Sequence, residues 1–144
     1  KRLKRWQKKP LLKMDENFKL DIISPEKTLF SDEVLMVTMP AVEGDMGILK
    51  NHINFITFLK PGIINIQLKD KSSEELYIEE GTVEFSSNIL TVLSSTVFKL
   101  NELSKDLVQK MIEEADKEIN SNDLTDKHKF ILSHKLSVLK SISI

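Results

Sequence analysis

Polar side chains that are able to make contacts cluster around two glycines in the first half of the chain. Glu43 and Asp45 flank Gly44, Gly47 follows two residues later, and His52 precedes the next apolar run. Because glycine enters backbone conformations with φ > 0, the pattern predicts a turned loop. Its carboxylates and imidazole form a plausible contact surface, since binding residues often lie on loops. A solvated loop, whose acids only keep the turn soluble, is the alternative interpretation.

The histidines do not have the spacing of a metal site. His128 and His134 lie six residues apart in a segment with helical periodicity, which places them about 240° apart around the helix axis. The chain has no cysteine, and it contains neither of the glycine-rich phosphate-binding motifs, G-x-x-x-x-G-K-[ST] and G-x-G-x-x-G. We therefore expect no catalytic centre, no metal and no cofactor.

Length and composition allow either one folded core or a compact domain with an appended element. The chain has 144 residues, of which 40% are hydrophobic, as in a globular protein. No apolar run approaches the roughly 20 residues that span a bilayer, and no apolar segment follows the basic start. Neither a transmembrane helix nor a secretory signal is expected.

Positive charge is concentrated at the start of the chain. Residues 1–13 contain seven of the 21 Lys and Arg residues, including both arginines, Arg2 and Arg5, and no acid. The remainder is acidic and lacks a guanidinium group, which argues against nucleic-acid binding. We interpret residues 1–13 as a disordered leader, derived from an over-extended start site or a vector. A basic arm for nucleic acid or anionic lipid, and part of a transit peptide, are the alternatives.

Short apolar runs that alternate with polar residues fill the chain from residue 18 to residue 100. In the first run, Phe18, Leu20 and Ile22 face one way and the residues between them face the other. Residues 34–39 are nearly all apolar, which is typical of a strand covered on both faces. The polar segments 69–73 and 86–88 predict hairpin connections. Strands of this length and spacing predict an antiparallel β-sandwich, or flattened barrel, over residues 14–101.

The apolar period becomes helical beyond residue 100. Leu107, Met111 and Ala115 recur at helical spacing, and Asn101 or Ser104 can cap the start, so we predict a helix from 104 to 121. Polar residues 120–123 interrupt the pattern, and a second amphipathic helix is predicted from 124 to 142. Because the connection is short, residues 102–144 are expected to form an antiparallel helical hairpin.

The glycine-rich segment matches a pattern of one known family. The pattern has two glycines three residues apart, an apolar residue, a histidine and then a Pro-Gly pair. On these positions the chain resembles the ε subunit of the F-type rotary ATP synthase, called δ in mitochondria. Residues 20–26 and 81–85 extend the resemblance, which covers residues 18–144, although residues 53–54 lack the family's small residue or proline. The matching positions are Gly44, Gly47, Ile48, His52, Pro61 and Gly62.

The resemblance implies a non-catalytic subunit of the central stalk. Its sandwich would fasten the γ subunit to the c-ring, with Glu43, Asp45 and His52 facing the polar loops of the c-ring. The protein would be peripheral on the cytoplasmic face of a bacterial inner membrane, or on the matrix side in a eukaryote, without inserting into the membrane. The alternative is a free-standing ligand-binding β-sandwich with a helical tail.

The resemblance also implies a regulatory role for the hairpin. In the family it extends towards the α/β catalytic head and restrains ATP hydrolysis. Some bacterial relatives bind ATP through a motif near the start of the first helix, but residues 103–108 lack its aspartate and arginine at their places. We therefore expect weak ATP binding or none. The residues expected to contact the head are Lys127, Lys129, Lys135 and Lys140.

Overall fold

The computed structural model describes residues 16–142, so the predictions on the leader, residues 1–13, fall outside the described residues. Within 16–142 the chain forms nine strands, one turn of 3-10 helix at Leu100–Glu102 and two α-helices, α1 at Lys105–Ile119 and α2 at Asp126–Ser141. The strands are β1 Phe18–Ile23, β2 Thr28–Ala41, β3 Gly44–Ile48, β4 Phe55–Leu59, β5 Gly62–Leu68, β6 Ser73–Ile78, β7 Gly81–Ser86, β8 Ile89–Leu93 and β9 Val97–Lys99.

The long strand β2 connects the two layers of the sandwich. Its first half pairs antiparallel with β1, and its second half lies between β3 and β5. Strand β1 also pairs with β8, and the path β1–β8–β7–β4 returns to β2 where Ala41 lies opposite Leu59. The strands therefore close into a flattened barrel, which β6 and β9 extend beyond β5. The predicted sandwich is confirmed, although β1 and β8 run parallel.

Alternation along the strands fills the core. Phe18, Leu20 and Ile22 are buried, as predicted, while the intervening residues of β1 are exposed or half-buried. In β2 the expected coverage of both faces holds only in part, since Leu35 and Met36 are half-buried. A bulge in the β2–β5 pairing at this point changes the phase of the buried positions.

The helices pack as the predicted antiparallel hairpin. Val108 near the start of α1 clusters with Leu139 near the end of α2, whereas Ala115 clusters with Leu132. Ser104 caps α1, because its hydroxyl accepts a hydrogen bond from the backbone N–H of Leu107 at 3.1 Å. Thr125 caps α2 in the same way through His128, at 3.2 Å.

The hairpin covers the outer face of β5, β6 and β9. Tyr77 of β6 is fully buried beneath it and clusters with Leu103, Val108 and Leu139. This cluster is separate from the sandwich core, which is enclosed between the strands. At roughly 1.5 to 3 kcal/mol for each fully buried aliphatic side chain, a few contacts hold the hairpin on the sandwich.

Candidate interaction surface

The glycine-rich segment forms a strand instead of the expected loop. Residues 42–43 make the turn between β2 and β3, and Gly44, with φ of +136°, follows the turn directly. From Gly44 to Ile48 the backbone pairs with β2, with Asp45 opposite Pro40. The prediction of a tight turn with positive φ is therefore confirmed at Gly44 but wrong for Gly47, because β2 is long enough to pair with residues 44–48. Glu43 and Asp45 are exposed at this end of the sandwich.

His52 lies at the opposite end of β4 from these carboxylates. Its half-buried ring contacts Phe55 edge-on, with ring centroids 5.2 Å apart, and Phe85 at 6.0 Å. Ala41, just before the turn, pairs instead with Leu59 at the other end of β4. The length of this strand, about 13 Å, separates the two ends. The structure therefore brings Glu43 and Asp45 together and leaves His52 apart from them.

Two asparagines hold the segment next to His52. The backbone N–H of Asn51 donates to the side-chain oxygen of Asn88 at 2.7 Å, and the Asn88 amide donates to the Asn51 side chain at 3.0 Å. Both residues have positive φ, which asparagine tolerates better than most residues. This end of the sandwich is thus fixed by its own packing and hydrogen bonds.

The four lysines of α2 that are predicted to contact the catalytic head have different surroundings. The ammonium of Lys135 forms an ion pair with Glu79 at 2.9 Å, and that carboxylate also accepts a hydrogen bond from the Tyr77 hydroxyl at 3.1 Å. At about 100° per residue, Lys129 and Lys140 lie on nearly the same side of the helix, away from Lys135. The lysines therefore do not form one continuous patch, and Lys135 already has a partner on the sandwich.

An exposed apolar row crosses the outer face of β4, β7 and β8. Phe58 pairs with Thr82, and Thr82 pairs with Leu93, so the three side chains lie side by side across the sheet. Phe58 is 61% exposed and Leu93 49%, and Ile56, two residues before Phe58, is 69% exposed. We call Ile56, Phe58 and Leu93 the apolar row. The sequence analysis missed it, although the run from 55 to 59 is too apolar for a strand with one solvated face.

A groove lies between the apolar row and the start of α2. Its volume is about 530 Å³. The side chain of Phe130, which faces it, is 48% exposed and contacts the ring of His134 with centroids 4.5 Å apart. Partial burial, and then the charge of Lys60, lower the pKa of His134 below its ordinary range. The sandwich lines the groove with Val42, Phe58 and Leu93, and α2 with Lys127, Phe130 and Ile131.

The described part of the chain contains no group of three or more His, Asp or Glu side chains that is able to hold a metal ion. The ring of His128 contacts the hydroxyl of Thr125, the N-cap of its own helix, at 3.3 Å. The ring of His134 contacts Phe130, which lies one helical turn before it. Among residues 16–142, no helix combines the length and hydrophobicity needed to span a membrane.

Comparison with known proteins finds the same fold in one family. The model of the ATP synthase delta/epsilon chain β-sandwich domain matches residues 17–99. The ATP synthase epsilon chain of Pelagibacter ubique is 43% identical over 131 residues, which span 90% of this chain and 100% of that protein. The epsilon chain of a Nitratiruptor species is 38% identical over 106 residues, or 74% of this chain and 82% of that protein.

Two solved structures with this fold come from mitochondrial complexes. A chain of the Euglena gracilis ATP synthase, in a cryo-EM structure of OSCP/F1/c-ring, superposes with a TM-score of 0.70. It is 19% identical, and the match covers 87% of this chain and 78% of that one. A chain of the Tetrahymena thermophila central stalk/c-ring structure gives 0.62 at 17% identity, covering 85% and 92%. At these identities the likeness establishes the fold.

The fold is a β-sandwich that carries a docked helical hairpin and has an exposed apolar row on one outer face. The family model matches more than half of the chain, and the Pelagibacter protein matches nearly all of it. The chain therefore belongs to the delta/epsilon chain family of ATP synthase, and the resemblance recognised in the sequence is confirmed. Members of this family are non-catalytic subunits of the synthase.

Proposed function

We propose that the sandwich joins the γ subunit to the c-ring in the central stalk of a proton-translocating ATP synthase, so that rotation passes between them. The observation that carries this proposal is the apolar row, in which Ile56, Phe58 and Leu93 are 49% to 69% exposed. Large apolar side chains that are exposed near one another on a folded domain indicate a partner-binding surface. Covering these side chains contributes roughly 1.5 to 3 kcal/mol each, so the row supports a lasting contact. We assign it to the γ subunit.

The c-ring contact is assigned to Glu43 and Asp45. Both are exposed at the end of the sandwich where the β2–β3 turn projects, and carboxylates suit the polar loops of a c-ring. His52 lies at the other end of β4 and packs on Phe55 and Phe85. In this proposal His52 positions the start of β4 beside the γ contact and does not face the c-ring.

The hairpin is proposed to extend towards the α/β head and to slow ATP hydrolysis. Lys127, Lys129 and Lys140 are exposed while the hairpin is docked, whereas Lys135 must leave Glu79 before it reaches another acid. The subunit would act on the cytoplasmic face of a bacterial inner membrane, or on the matrix side in a eukaryote. Bacterial relatives at 38% to 43% identity support the bacterial location.

Replacing two members of the apolar row tests the γ contact. The double variant Ile56→Ser, Phe58→Ser changes exposed positions, so it should fold normally. We expect its affinity for the γ subunit, measured by titration calorimetry, to fall more than tenfold, because about 1.4 kcal/mol of lost contact already gives that factor. The matched control is Leu107→Ser, on α1, which is 37% exposed and outside the row.

Unchanged affinity in the double variant would contradict the assignment of the row. If the unmodified chain binds neither the γ subunit nor the c-ring, a free-standing ligand-binding sandwich becomes the better interpretation. Co-purification of the tagged chain with the assembled synthase separates these two functions directly.

A further inference from the structure

The groove between the sandwich and α2 is a space that the side chains of neither element fill. Phe130 projects from α2 and remains 48% exposed, even though the apolar side chains Phe58 and Leu93 lie across the groove from it. Phe130 is not part of the helix–helix seam, whose buried residues on α2 are Leu132, Leu136 and Leu139. Apolar side chains thus face one another across about 530 Å³ without making a closed core.

The two walls of this groove belong to elements that separate in the proposed function. One wall is the sandwich, and the other is the first turns of α2, which pack through Leu132 and Leu136 against α1 and not against the apolar row. When the hairpin leaves the sandwich, the α2 wall leaves with it. An occupant that contacts both walls therefore binds the docked hairpin better than the extended one, and shifts the population towards docking.

The chemistry of the walls indicates the occupant. The groove opens onto the apolar row, so a partner that covers Phe58 reaches the groove without a gap. Its lining includes two ammonium groups, Lys60 and Lys127, and one carboxylate, Glu80. An apolar segment that carries an acidic side chain matches this lining, with its carboxylate beside the lysines.

We infer that the groove receives an apolar, acid-bearing segment of the same γ subunit that covers the apolar row, and that this contact clamps the hairpin in its docked position. The inference rests on the proposed function, because the partner is the one assigned to the row. It adds a regulatory consequence, since engagement of the stalk subunit then opposes extension of the hairpin.

The position of the hairpin can be measured in the full-length chain. The sequence has no cysteine, so Glu26→Cys on the sandwich and Ser137→Cys on α2 give two unique labelling sites, both at exposed positions. Energy transfer between the two dyes is recorded while purified γ subunit is added. We expect the γ subunit to raise the docked population. Phe130→Ser should abolish that rise and weaken γ binding about tenfold, the factor produced by roughly 1.4 kcal/mol.

Two lysines on the same helix provide a matched pair. Lys127→Gln removes a charge that lines the groove, whereas Lys129→Gln removes an exposed charge two residues away that does not line it. We expect weaker binding, with a reduced salt dependence, for Lys127→Gln only. Equal behaviour of the two variants overturns the inference.

The outcomes separate this inference from the proposed function. If the Ile56→Ser, Phe58→Ser variant loses γ binding while γ leaves the hairpin position unchanged, the groove is not a clamp and the row is still the stalk contact. If γ does not bind the unmodified chain, both proposals fall. A docked population that falls for Phe130→Ser in the absence of γ also overturns the inference, because the side chain would then act within the chain.

Discussion

The sandwich core and the helix seam differ in how completely they are enclosed. Core side chains such as Ile64, Phe85 and Val92 are at most 1% exposed, because strands cover them on two sides. In the seam, Ala115 and Leu139 are equally buried, but Leu132 and Leu136 remain 5% and 8% exposed, since each helix has only one covered side. The core is also continuous from β1 to β8, whereas the buried residues of the hairpin fall into two smaller clusters.

This difference indicates two units of unequal stability. The hairpin is attached through the cluster around Tyr77 and through one ion pair, Lys135–Glu79, and neither belongs to the sandwich core. We therefore expect that the hairpin can detach while the core remains intact, since units of low local stability open before the rest of a fold. A substitution in the sandwich core should therefore destabilise the whole chain, whereas a substitution in the hairpin should destabilise the hairpin alone.

The largest effect is expected for Phe85→Ala in the core. Phe85 contacts Phe18 edge-on at 5.7 Å and stacks with Phe55, so truncation leaves a cavity and should lower the free energy of unfolding by about 3 to 5 kcal/mol. Leu136→Ala in the seam should cost about 2 kcal/mol and affect only the hairpin. Urea denaturation followed by amide hydrogen exchange checks both changes. Equal loss of protection in the strands of both variants would show that the chain is a single cooperative unit.

Removal of the hairpin should have a smaller effect on the sandwich. A chain ending at Leu103 exposes Tyr77 and Ile63 but leaves the core unchanged, so we expect it to fold with a melting temperature lower by roughly 4 to 8 °C, equivalent to about 1 kcal/mol. Assembly with γ should persist, and ATP hydrolysis by the reconstituted synthase should rise. Hydrolysis at the rate of the full-length complex would remove the inhibitory role of the hairpin.

Breaking the ion pair between Lys135 and Glu79 should change only the equilibrium between the docked and the detached hairpin. The partners Lys135 and Glu79 are about one-fifth exposed, so their coupling should be near 1 kcal/mol, which is about fivefold in the docked population. Lys135→Gln and Glu79→Gln should each reduce docking, and the double variant should be no worse than the single ones. The dye-labelled chain reports the result, with Lys129→Gln as the control. Additive losses would show that the two side chains act independently.

The smallest effect is a pH dependence from Tyr77. Burial, and then the negative charge of Glu79, raise the pKa of Tyr77 above its ordinary value of 10.0. The unfolded chain ionises near pH 10 and the folded chain does not, so the stability from this group is complete below pH 10 and is lost as the pH rises further. Tyr77→Phe should remove this slope, a difference below about 1 kcal/mol at pH 10.5. Denaturation between pH 8 and 10.5 checks it, and parallel slopes would place Tyr77 in solvent.

Local patterns predicted those parts of the fold that depend on neighbours in sequence. Alternation placed Phe18, Leu20 and Ile22 in the core, and the helical period with its preceding polar residues limited the first cap to Asn101 or Ser104, of which Ser104 is the cap. These features depend only on residues that are close in sequence, because side-chain alternation in a strand and capping of a helix are set within a few residues.

Features that depend on pairing between distant segments were not predictable. Glycines indicated a loop at Gly44 and Gly47, but the extra length of β2 gives this segment a strand partner. The separation of His52 from Glu43 follows from the β2–β4 register, which no local pattern records. The apolar row had a local signal in residues 55–59, whereas the groove requires the placement of α2. The proposed contacts of Glu43, Asp45 and the α2 lysines remain predictions.

Strand β1 is hydrogen-bonded to a neighbouring strand along both of its edges, and this pairing has a mechanical consequence. Phe18–Ile23 is hydrogen-bonded antiparallel to β2 along one edge and parallel to β8 along the other. A force along this strand must shear both ladders at once, instead of separating hydrogen bonds one after another as at an open hairpin. Torque applied to the outer face of β4 is likewise shared through β7 and β8 with β1 and β2. We therefore expect the barrel to resist twisting as one body, which would suit the proposed transfer of rotation between γ and the c-ring.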